Sequence, residues 1–563
     1  RDVLLPAVDV PGYHVLEIDG RHITLAVAPR RAPALPEGER YWGLAAQLYS
    51  LRRDGDGGIG DFAALGTLAE RAAALGAAAV MVSPFHAGFA ARPERASPYS
   101  PSTRLWRNAL HADFGALPAG FPSVELPASD DGLIDWRTAG SARWRALLSV
   151  LDAAARTDDL LAAYRTFAAA AGDALRDHAV FEALDAHFAS LGIVGDWRRW
   201  PADYHDPRSS AVAAFAREHA RDVDFHGFAQ WLAERSVARA QQRALAAGMA
   251  TGIVADLAVG TDPGGSQAWS KPRELLRGVS VGAPPDPFNP LGQSWGITAF
   301  SPQALADEGF APWLDLLRAN LAHVGGLRID HALGLMRLWL VPDGADASEG
   351  AYLRYPLTDL LRLLCLEAAR AGTIVVGEDL GTVPDDFHAR TRPRGLLGMQ
   401  VFWFEREHDG TFRRPERWSR DAIAMSSTHD LPTVAGWWDG VDLARRAALD
   451  LLGEQSPDAA RAQRDREREL VADALVASGA ARERPRDGAS ACDAVAAHLG
   501  RTTAPLALLP LEDALGEREQ PNLPGTTAEH PNWRRRLPAD VDAVLARPEV
   551  DARLRALDAA RRG

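Results

Sequence analysis

The sequence predicts an α/β fold, a TIM (β/α)8 barrel with large helical insertions and a short N-terminal β segment. Eight apolar runs have the length of buried strands, and each one ends in polar or glycine-rich sequence. Helical patterns follow these runs, and carboxylates stand at the ends of several of them. Because the active site of such a barrel lies at the C-terminal ends of its strands, we expect these carboxylates to share one cleft.

Residues 1–40 have a different pattern from the rest. Two strand-like runs, Tyr13–Ile18 and His22–Val27, flank Asp19-Gly20, and Asp-Gly between alternating runs is a strong hairpin signal. Prolines and a glycine then indicate a linker. A lone hairpin is barely stable, so we interpret 1–40 as the remnant or edge of a β domain, followed by a catalytic barrel over 41–563.

The barrel strands are predicted in chain order, and their spacing is uneven. Two long alanine-rich intervals, about 105–250 and about 440–500, have helical patterns and are interpreted as insertions. The eight predicted strands are Gly43–Tyr49, Ala78–Val82, Gly252–Leu257, Gly326–Asp330, Thr373–Glu378, Gly398–Phe404, Ile423–Ser427 and Ala504–Leu509.

The fourth of these runs, which leads into His331, carries the first candidate for chemistry. Side chains alternate along a strand, so Arg328 and Asp330 face the same side. A guanidinium beside a carboxylate favours the ionised form, which would keep Asp330 available as a nucleophile. The alternative is a purely structural Arg–Asp pair at a strand end.

Two further carboxylates at strand ends favour the functional interpretation. Glu378 follows an apolar run that would raise its pKa, as a general acid requires. Asp430 follows His429 and is expected to bind sugar hydroxyls, with His429 and His331 as hydrogen-bond donors. Paired carboxylates on a barrel rim are typical of glycoside chemistry, in which one is the nucleophile and the other the acid and base.

Composition narrows the possible partners. The formal net charge is −13, from 62 basic and 75 acidic residues, which disfavours nucleic acid as a partner and suits a neutral or cationic ligand. Only two cysteines are present, so no disulfide framework or cysteine metal cluster is expected, and no HExxH-like motif indicates a metal.

No apolar run is long enough to span a membrane, and no signal peptide is apparent. We expect a cytoplasmic protein without metal or cofactor, as a monomer or homodimer.

Several short motifs, in order and near strand ends, resemble the 4-alpha-glucanotransferases of glycoside hydrolase family 77 (amylomaltases or disproportionating enzymes). The resemblance covers the chain from Tyr41 to its end, and residues 1–40 match less well. The motifs are Gln47–Arg52, Ser97–Pro101, Gly282–Asp286, Gly292–Gly296, Gly377–Gly381, Asn522–Thr526 and His530–Trp533.

The resemblance implies transfer of a segment of an α-1,4-glucan oligosaccharide or polysaccharide by a retaining double displacement. It implies Asp330 as nucleophile, Glu378 as acid and base, and Asp430 as stabiliser of the transition state. It also implies binding residues. A loop at 282–296 would overhang the cleft, Tyr99 would stack at the donor side, and glucose units would be contacted by Asp286, Gln293 and Trp295.

Two other functions stay open at this point. An α-glucan hydrolase of the amylase kind would use the same carboxylates, so only the loop and the acceptor sites discriminate. A non-catalytic glucan-binding protein would require a lost carboxylate, and none is lost. The 282–296 loop has its own alternative, an ordinary surface loop rich in proline and glycine.

Overall fold

Eight parallel strands form the centre of the molecule in this computed structural model, which describes residues 7–117, 126, 132–154, 157–285, 291–453 and 455–563. All eight predicted strands are present, within a few residues of their expected bounds. They are β1 (Tyr41–Ala46), β2 (Ala79–Val82), β3 (Gly252–Leu257), β4 (Gly326–Ile329), β5 (Ile374–Gly377), β6 (Gly398–Val401), β7 (Ala422–Met425) and β8 (Leu506–Pro510).

The strands pair in the order β5-β4-β3-β2-β1-β8-β7-β6, and every pairing is parallel. The remaining gap between β5 and β6 is bridged by backbone hydrogen bonds, from Gly377 N to Leu397 O at 2.7 Å and from Leu397 N to Val375 O at 3.0 Å. The sheet is therefore nearly closed into a barrel, as the sequence predicted. All C-terminal strand ends lie on one rim.

Helices surround the barrel and make up most of the described residues in the two long intervals. They are Phe62–Ala74, Trp136–Ala154, Asp158–Ser190, Ser210–Glu218, Ala220–Ala246, Ser266–Ser270, Pro302–Asp307, Ala311–Leu321, Leu357–Ala371, Phe387–Thr391, Val434–Asp439, Val441–Ala448, Pro457–Ala477, Gly488–Arg501, Leu511–Leu515, Val541–Leu545 and Pro548–Arg562. Helix Asp158–Ser190 is interrupted at Gly172, whose φ of 58° is not helical. No helix in the described ranges is both long and apolar enough to cross a membrane.

The helices of the first interval have apolar clusters of their own, separate from the barrel core. One cluster packs Leu147 and Val150 against Phe228 and Trp231, and another packs Phe181 against Trp200. These tryptophans are buried at 4% exposure each, so they have the core-packing role that is the default for such residues.

The N-terminal hairpin forms as predicted. Strands Gly12–Ile18 and Arg21–Val27 pair in an antiparallel manner, and both turn residues, Asp19 and Gly20, have positive φ. The hairpin contacts the barrel helices through Tyr13, whose hydroxyl bonds Glu367 and whose ring lies under Arg318.

Short antiparallel strands outside the barrel complete the fold. Val279–Ala283, Gln293–Ser294, Arg337–Pro342 and Ala351–Arg354 form a small sheet beside the rim, and His86–Ala87 pairs with Thr103–Arg107 after β2. The predicted loop at 282–296 thus begins and ends in paired strands, because Ala283 lies opposite Gln293.

Candidate active site

A buried arginine organises the rim. Arg328 in β4 lies directly opposite Asp256 of β3 in the parallel register, and its Nη1 lies 2.6 Å from both oxygens of that carboxylate. The same Nη1 lies 3.0 Å from Asp330 Oδ1. Arg328 and Asp256 are each 4% exposed, so this ion pair is largely closed to water, and the same guanidinium also serves Asp330.

Asp330 follows β4 and shares a side with Arg328, as the strand alternation predicted. The direction of its pKa shift is opposite to expectation, because burial raises the pKa of Asp330 to about 6 despite the adjacent guanidinium. Arg328 is committed first to Asp256, and the charges of Asp256 and Glu378 add to the effect of burial. Asp330 therefore stays mainly ionised at neutral pH. Its pKa nevertheless lies closer to 7 than it would if an arginine paired with Asp330 alone.

Glu378 follows β5, and the backbone holds both of its carboxyl oxygens. Oε2 accepts from His331 N at 2.9 Å, and Oε1 accepts from Leu380 N at 2.7 Å. His331 has a φ of 45°, a left-handed conformation that is uncommon outside glycine and typical of functional sites. Burial raises the pKa of Glu378 and outweighs Arg328 and the two N–H donors, in the direction expected from its apolar run.

The pKa of Asp430 is shifted in the opposite direction from the pKa values of Asp330 and Glu378. Burial would raise its pKa, but the His429 ring at 3.2 Å and the Asn522 amide, 2.6 Å from Oδ1, together hold the pKa below its usual value. In return Asp430 raises the pKa of His429 against the effect of burial. The side chain of Asp430 remains 47% exposed although protein atoms surround it, as at the base of an open cleft.

Aromatic rings form one wall beside these carboxylates. Tyr99 stacks on His429 with ring centroids 4.5 Å apart, and Trp533 packs against both rings at 5.6 and 5.5 Å. The Tyr99 hydroxyl donates to Asp256 at 2.7 Å, which connects the wall to the Arg328 pair. These contacts fix the orientation of Tyr99 and His429 relative to the rim.

The predicted acceptor-side residues lie beside His331. The Trp295 ring meets the His331 ring edge-on at 5.3 Å, and Trp295 Nε1 donates to Gln293 Oε1 at 3.0 Å. Asp286 lies outside the described residues. Thus the structure gathers nine of the ten predicted site residues around the rim: Tyr99, Gln293, Trp295, Arg328, Asp330, His331, Glu378, His429 and Asp430.

Three residues of the site were missed in the sequence. Asp256 interrupts the apolar run of β3, and that lone charge within a buried strand was a signal that could have been used. Asn522 and Trp533 stood in recognised motifs, but their contacts with Asp430 and Tyr99 join segments far apart in the chain.

A family model described as 4-alpha-glucanotransferase (glycoside hydrolase family 77) matches residues 46–542. The chain belongs to this family. The 4-alpha-glucanotransferase of Mycobacterium tuberculosis is 40% identical over 565 residues, covering 94% of this chain and 76% of the relative. That of Haemophilus influenzae is 31% identical over 564 residues, covering 93% of this chain and 80% of the relative.

Solved structures agree with this assignment. The amylomaltase from Corynebacterium glutamicum superposes with a TM-score of 0.86 at 30% identity, covering 99% of this chain and 81% of that one. The amylomaltase from Streptococcus agalactiae in complex with acarbose shares the fold, with a TM-score of 0.76 at 18% identity. The family resemblance seen in the sequence is confirmed. The chain is a glycosyl-transferring enzyme of the 4-alpha-glucanotransferase type, and the hydrolase alternative is not favoured.

Proposed function

We propose that this enzyme transfers a segment of an α-1,4-glucan to the 4-hydroxyl of an acceptor glucan or glucose, with retention at the anomeric carbon. The proposal rests on two partly buried carboxyls on the rim of a family 77 barrel: Asp330, 3.0 Å from Arg328, and Glu378, held by the N–H groups of His331 and Leu380. Retention requires two such groups, one to bond the sugar and one to exchange protons with the departing and arriving oxygens.

In the first step Asp330 attacks the anomeric carbon of the donor as the glycosidic bond breaks. Glu378, whose pKa is raised by burial, acts as the general acid and gives its proton to the leaving oxygen. The products are a glycosyl ester on Asp330, a released glucan with a free 4-hydroxyl, and an ionised Glu378. The N–H groups of His331 and Leu380 stabilise that ionised form.

In the second step the 4-hydroxyl of the acceptor attacks the same anomeric carbon. Glu378 takes the hydroxyl proton, the ester bond to Asp330 breaks, and the enzyme returns to its starting protonation state. Arg328 stabilises the carboxylate that Asp330 becomes as it leaves.

The remaining residues position the sugar. Asp430, kept ionised by His429 and Asn522, is placed to hold sugar hydroxyls and to oppose the developing positive charge. Tyr99 offers a flat ring for the donor sugar, and Trp295 with Gln293 offers acceptor contacts. Asp286 is proposed as a further contact from the same loop.

Acceptor contacts matter because water competes with sugar for the glycosyl ester. A covered cleft that binds a glucan acceptor lowers the access of water and raises the local concentration of the 4-hydroxyl. We propose α-1,4-glucan oligosaccharides and polysaccharides as the substrates, without metal or cofactor, and a monomer or homodimer in the cytoplasm. Cys365 and Cys492 are both buried free thiols. Free thiols are typical of proteins in a reducing compartment, which supports a location in the cytoplasm.

Purified maltotriose tests the function directly. Transfer gives glucose together with a ladder of longer oligomers, whereas hydrolysis gives only maltose and glucose. The ratio of longer oligomers to total glucose released is measured over time by chromatography. Glucose and maltose without any longer product would refute transfer and restore the hydrolase. No reaction in the wild type would favour a binding protein.

A further inference from the structure

Asp379 follows Glu378 in the chain and faces the opposite way, toward β6. Its Oδ1 accepts a hydrogen bond from Met399 N in β6 at 2.8 Å, and its Oδ2 lies 2.8 Å from His388 Nε2. The side chain is 10% exposed. Gly398 leaves room for this close approach, because a Cβ at that position would lie 2.5 Å from Oδ2. None of the steps proposed for glucan transfer uses this carboxylate.

Asp379 lies at the seam between β5 and β6, where the described barrel strands do not pair in a regular ladder. On the other side of Glu378 the backbone is held to the β4 segment. Glu378 N donates to Ile329 O at 2.9 Å, and Ala332 N donates to Glu378 O at 2.8 Å. On the β6 side Met399 N donates to the Asp379 side chain, where a ladder would have it donate to the backbone. The carboxylate therefore takes the place of a ladder bond beside Glu378.

His388 holds the second oxygen of the Asp379 carboxylate. It lies in helix Phe387–Thr391, which is anchored by Phe387 at 1% exposure. Both carboxylate oxygens are therefore engaged, one by β6 and one by a helix outside the barrel. A side chain held in this way keeps one rotamer, and the adjoining Glu378 keeps its position as a result.

The charge of Asp379 acts on Glu378 in a definite direction. Burial raises the pKa of Glu378, and the negative charge of Asp379 acts in the same direction. Arg328 and the N–H groups of His331 and Leu380 oppose both, because they favour the carboxylate form. A general acid must keep its proton until the leaving oxygen takes it, so a fixed anion close to Glu378 assists its role.

The other titratable and charged groups that face these two carboxyls come from the β4 segment, from helix Phe387–Thr391 and from the segment after β6. They are Arg328, Asp330, His331, His388 and Glu405. Arg413 Nη1 lies 2.6 Å from Glu405 and compensates its charge. Asp379 is therefore the anion that acts on Glu378 from the β6 side.

We propose that Asp379 is a positioning residue for the acid and base: it fixes Glu378 across the β5–β6 seam, and its negative charge favours the protonated form of Glu378. It acts through Glu378 and not on the sugar. The inference rests on the proposed function, because it assumes that Glu378 is the acid. A merely structural Asp379 would hold the seam without changing the ionisation of Glu378, and this difference can be measured.

Asp379→Asn separates the charge from the hydrogen bonds. The amide oxygen can still accept from Met399 N, and the amide nitrogen can still face His388, so the variant is expected to fold. The alkaline limb of kcat/KM for maltotriose should move about one pH unit lower, because Glu378 then loses its proton more readily. The acid limb, set by Asp330, should move less. An alkaline limb at the wild-type position in Asp379→Asn would overturn the proposal.

A donor that needs little acid assistance gives a second readout. Fluoride leaves with little protonation, so an α-glycosyl fluoride should react with Asp379→Asn almost as it does with the wild type. On the alkaline side, the ratio of kcat/KM for maltotriose to that for the fluoride should fall about tenfold. Asp379→Ala also removes the hydrogen bonds, so it should slow both donors. Equal losses with both donors in Asp379→Asn would assign the residue to the fold alone.

Asp513→Asn is the matched control. The Asp513 carboxyl also holds a rim segment, because it accepts from Val434 N at 2.7 Å and from the Ser426 hydroxyl, on either side of Asp430. Burial raises the pKa of Asp513 to about 6, so the loss of its charge should be tolerated. This variant should keep the alkaline limb and the donor ratio of the wild type. A limb that moved as far as in Asp379→Asn would refute a specific role for Asp379.

The ionisation of Glu378 can also be followed without turnover. In protein labelled with carbon-13 at the glutamate carboxyls, the resonance that disappears in Glu378→Gln belongs to Glu378. Its titration midpoint should lie about one pH unit lower in Asp379→Asn than in the wild type. Equal midpoints would overturn the proposal whether or not the chain transfers glucan. If the wild type made no longer oligomers from maltotriose while the midpoint still moved, the proposed function would fail and the coupling of the two carboxyls would stand.

Discussion

Two buried clusters of arginine and aspartate in this molecule use the same groups to opposite effect. At the start of helix Phe62–Ala74, Asp61 is fully buried and has two arginines, with Arg53 Nη2 at 2.7 Å and Arg143 Nη2 at 2.9 Å. Its carboxylate also caps the helix by accepting from Ala64 N. Burial alone would raise the pKa of Asp61, but these partners outweigh burial, and the pKa lies below its usual value.

On the barrel rim the ratio is reversed, because one arginine serves two aspartates. Arg328 is shared by Asp256 and Asp330, and burial prevails at Asp330, whose pKa is raised. The number of cations per carboxylate, more than burial, therefore separates a structural cluster from a reactive one. Asp61 is held in its charged form for stability, while Asp330 keeps an incompletely compensated charge available for a bond to carbon.

Replacing each aspartate by asparagine gives the largest contrast. Asp330→Asn should lower transfer at least about 10⁴-fold, because no other group is placed to attack the anomeric carbon. The same change should leave the free energy of unfolding unchanged or higher by about 1 kcal/mol at pH 7, since it removes a charge that burial disfavours. Maltotriose disproportionation and urea unfolding measure the two effects.

Asp61→Asn is the matched control in the structural cluster. It leaves two buried arginines without their anion and should lower the free energy of unfolding by about 3–5 kcal/mol. The protein that remains folded should keep most of its transfer rate. A stable Asp61→Asn protein, or an Asp330→Asn protein that unfolds, would erase the distinction between the two clusters.

The pH dependence of kcat/KM reports the protonation of the two rim carboxyls, Asp330 and Glu378. Asp330 must be ionised to attack, so activity should fall about tenfold per pH unit below about pH 6. Glu378 must be protonated, so an alkaline limb should follow its raised pKa. Initial rates of maltotriose disproportionation, measured from pH 4 to pH 9 in buffers of constant ionic strength, give this profile.

Stability should respond in opposite senses at the two aspartates. The raised pKa of Asp330 contributes stability at low pH that is lost as the pH rises toward 6. The lowered pKa of Asp61 contributes stability above its unfolded value that is lost in acid. An acid limb of activity near pH 4 would mean that Arg328 compensates Asp330 as fully as its two arginines compensate Asp61.

The third carboxylate is Asp430. It resembles Asp61 because its partners favour the ionised form and lower its pKa. Asn522→Ala removes the amide 2.6 Å from Asp430 Oδ1, so the pKa of Asp430 should rise and transfer should fall about tenfold. Asn522→Asp should reduce transfer further, because it adds a like charge beside Asp430. A loss in Asn522→Ala without any change in the pH profile would assign the residue to loop structure alone.

Trp295→Ala should have the smallest effect. The Trp295 ring lies against His331 on the proposed acceptor side, so its loss should reduce transfer several-fold more than hydrolysis. Products from maltotriose should shift from longer oligomers toward maltose and glucose. Equal loss of transfer and hydrolysis would place Trp295 in donor binding or in the fold.

Much of this architecture could be predicted from the sequence, because buried parallel strands are continuous apolar runs and Asp-Gly marks a hairpin. Asp330, Glu378 and Asp430 were predicted from their positions at strand ends. The sharing of Arg328 was not predicted, because the register that sets Arg328 opposite Asp256 depends on which strands are neighbours. The pKa of Asp330 was misjudged for the same reason, since the sequence shows a nearby arginine but neither its other partner nor the burial. Asn522 lies 92 residues from Asp430, and only the folded loops bring them together.

A covalent label distinguishes the roles proposed for Asp330, as nucleophile, and for Glu378, as acid and base. Glu378→Gln removes the proton donor and leaves Asp330 in place. An α-glycosyl fluoride needs little protonation of its leaving group, so this variant should react with it and accumulate a covalent glycosyl-enzyme. Intact-protein mass spectrometry should show the added glycosyl mass, and digestion should map it to the peptide that contains Asp330. A label on Glu378 or Asp430, or turnover of the fluoride with inversion and no adduct, would contradict these roles.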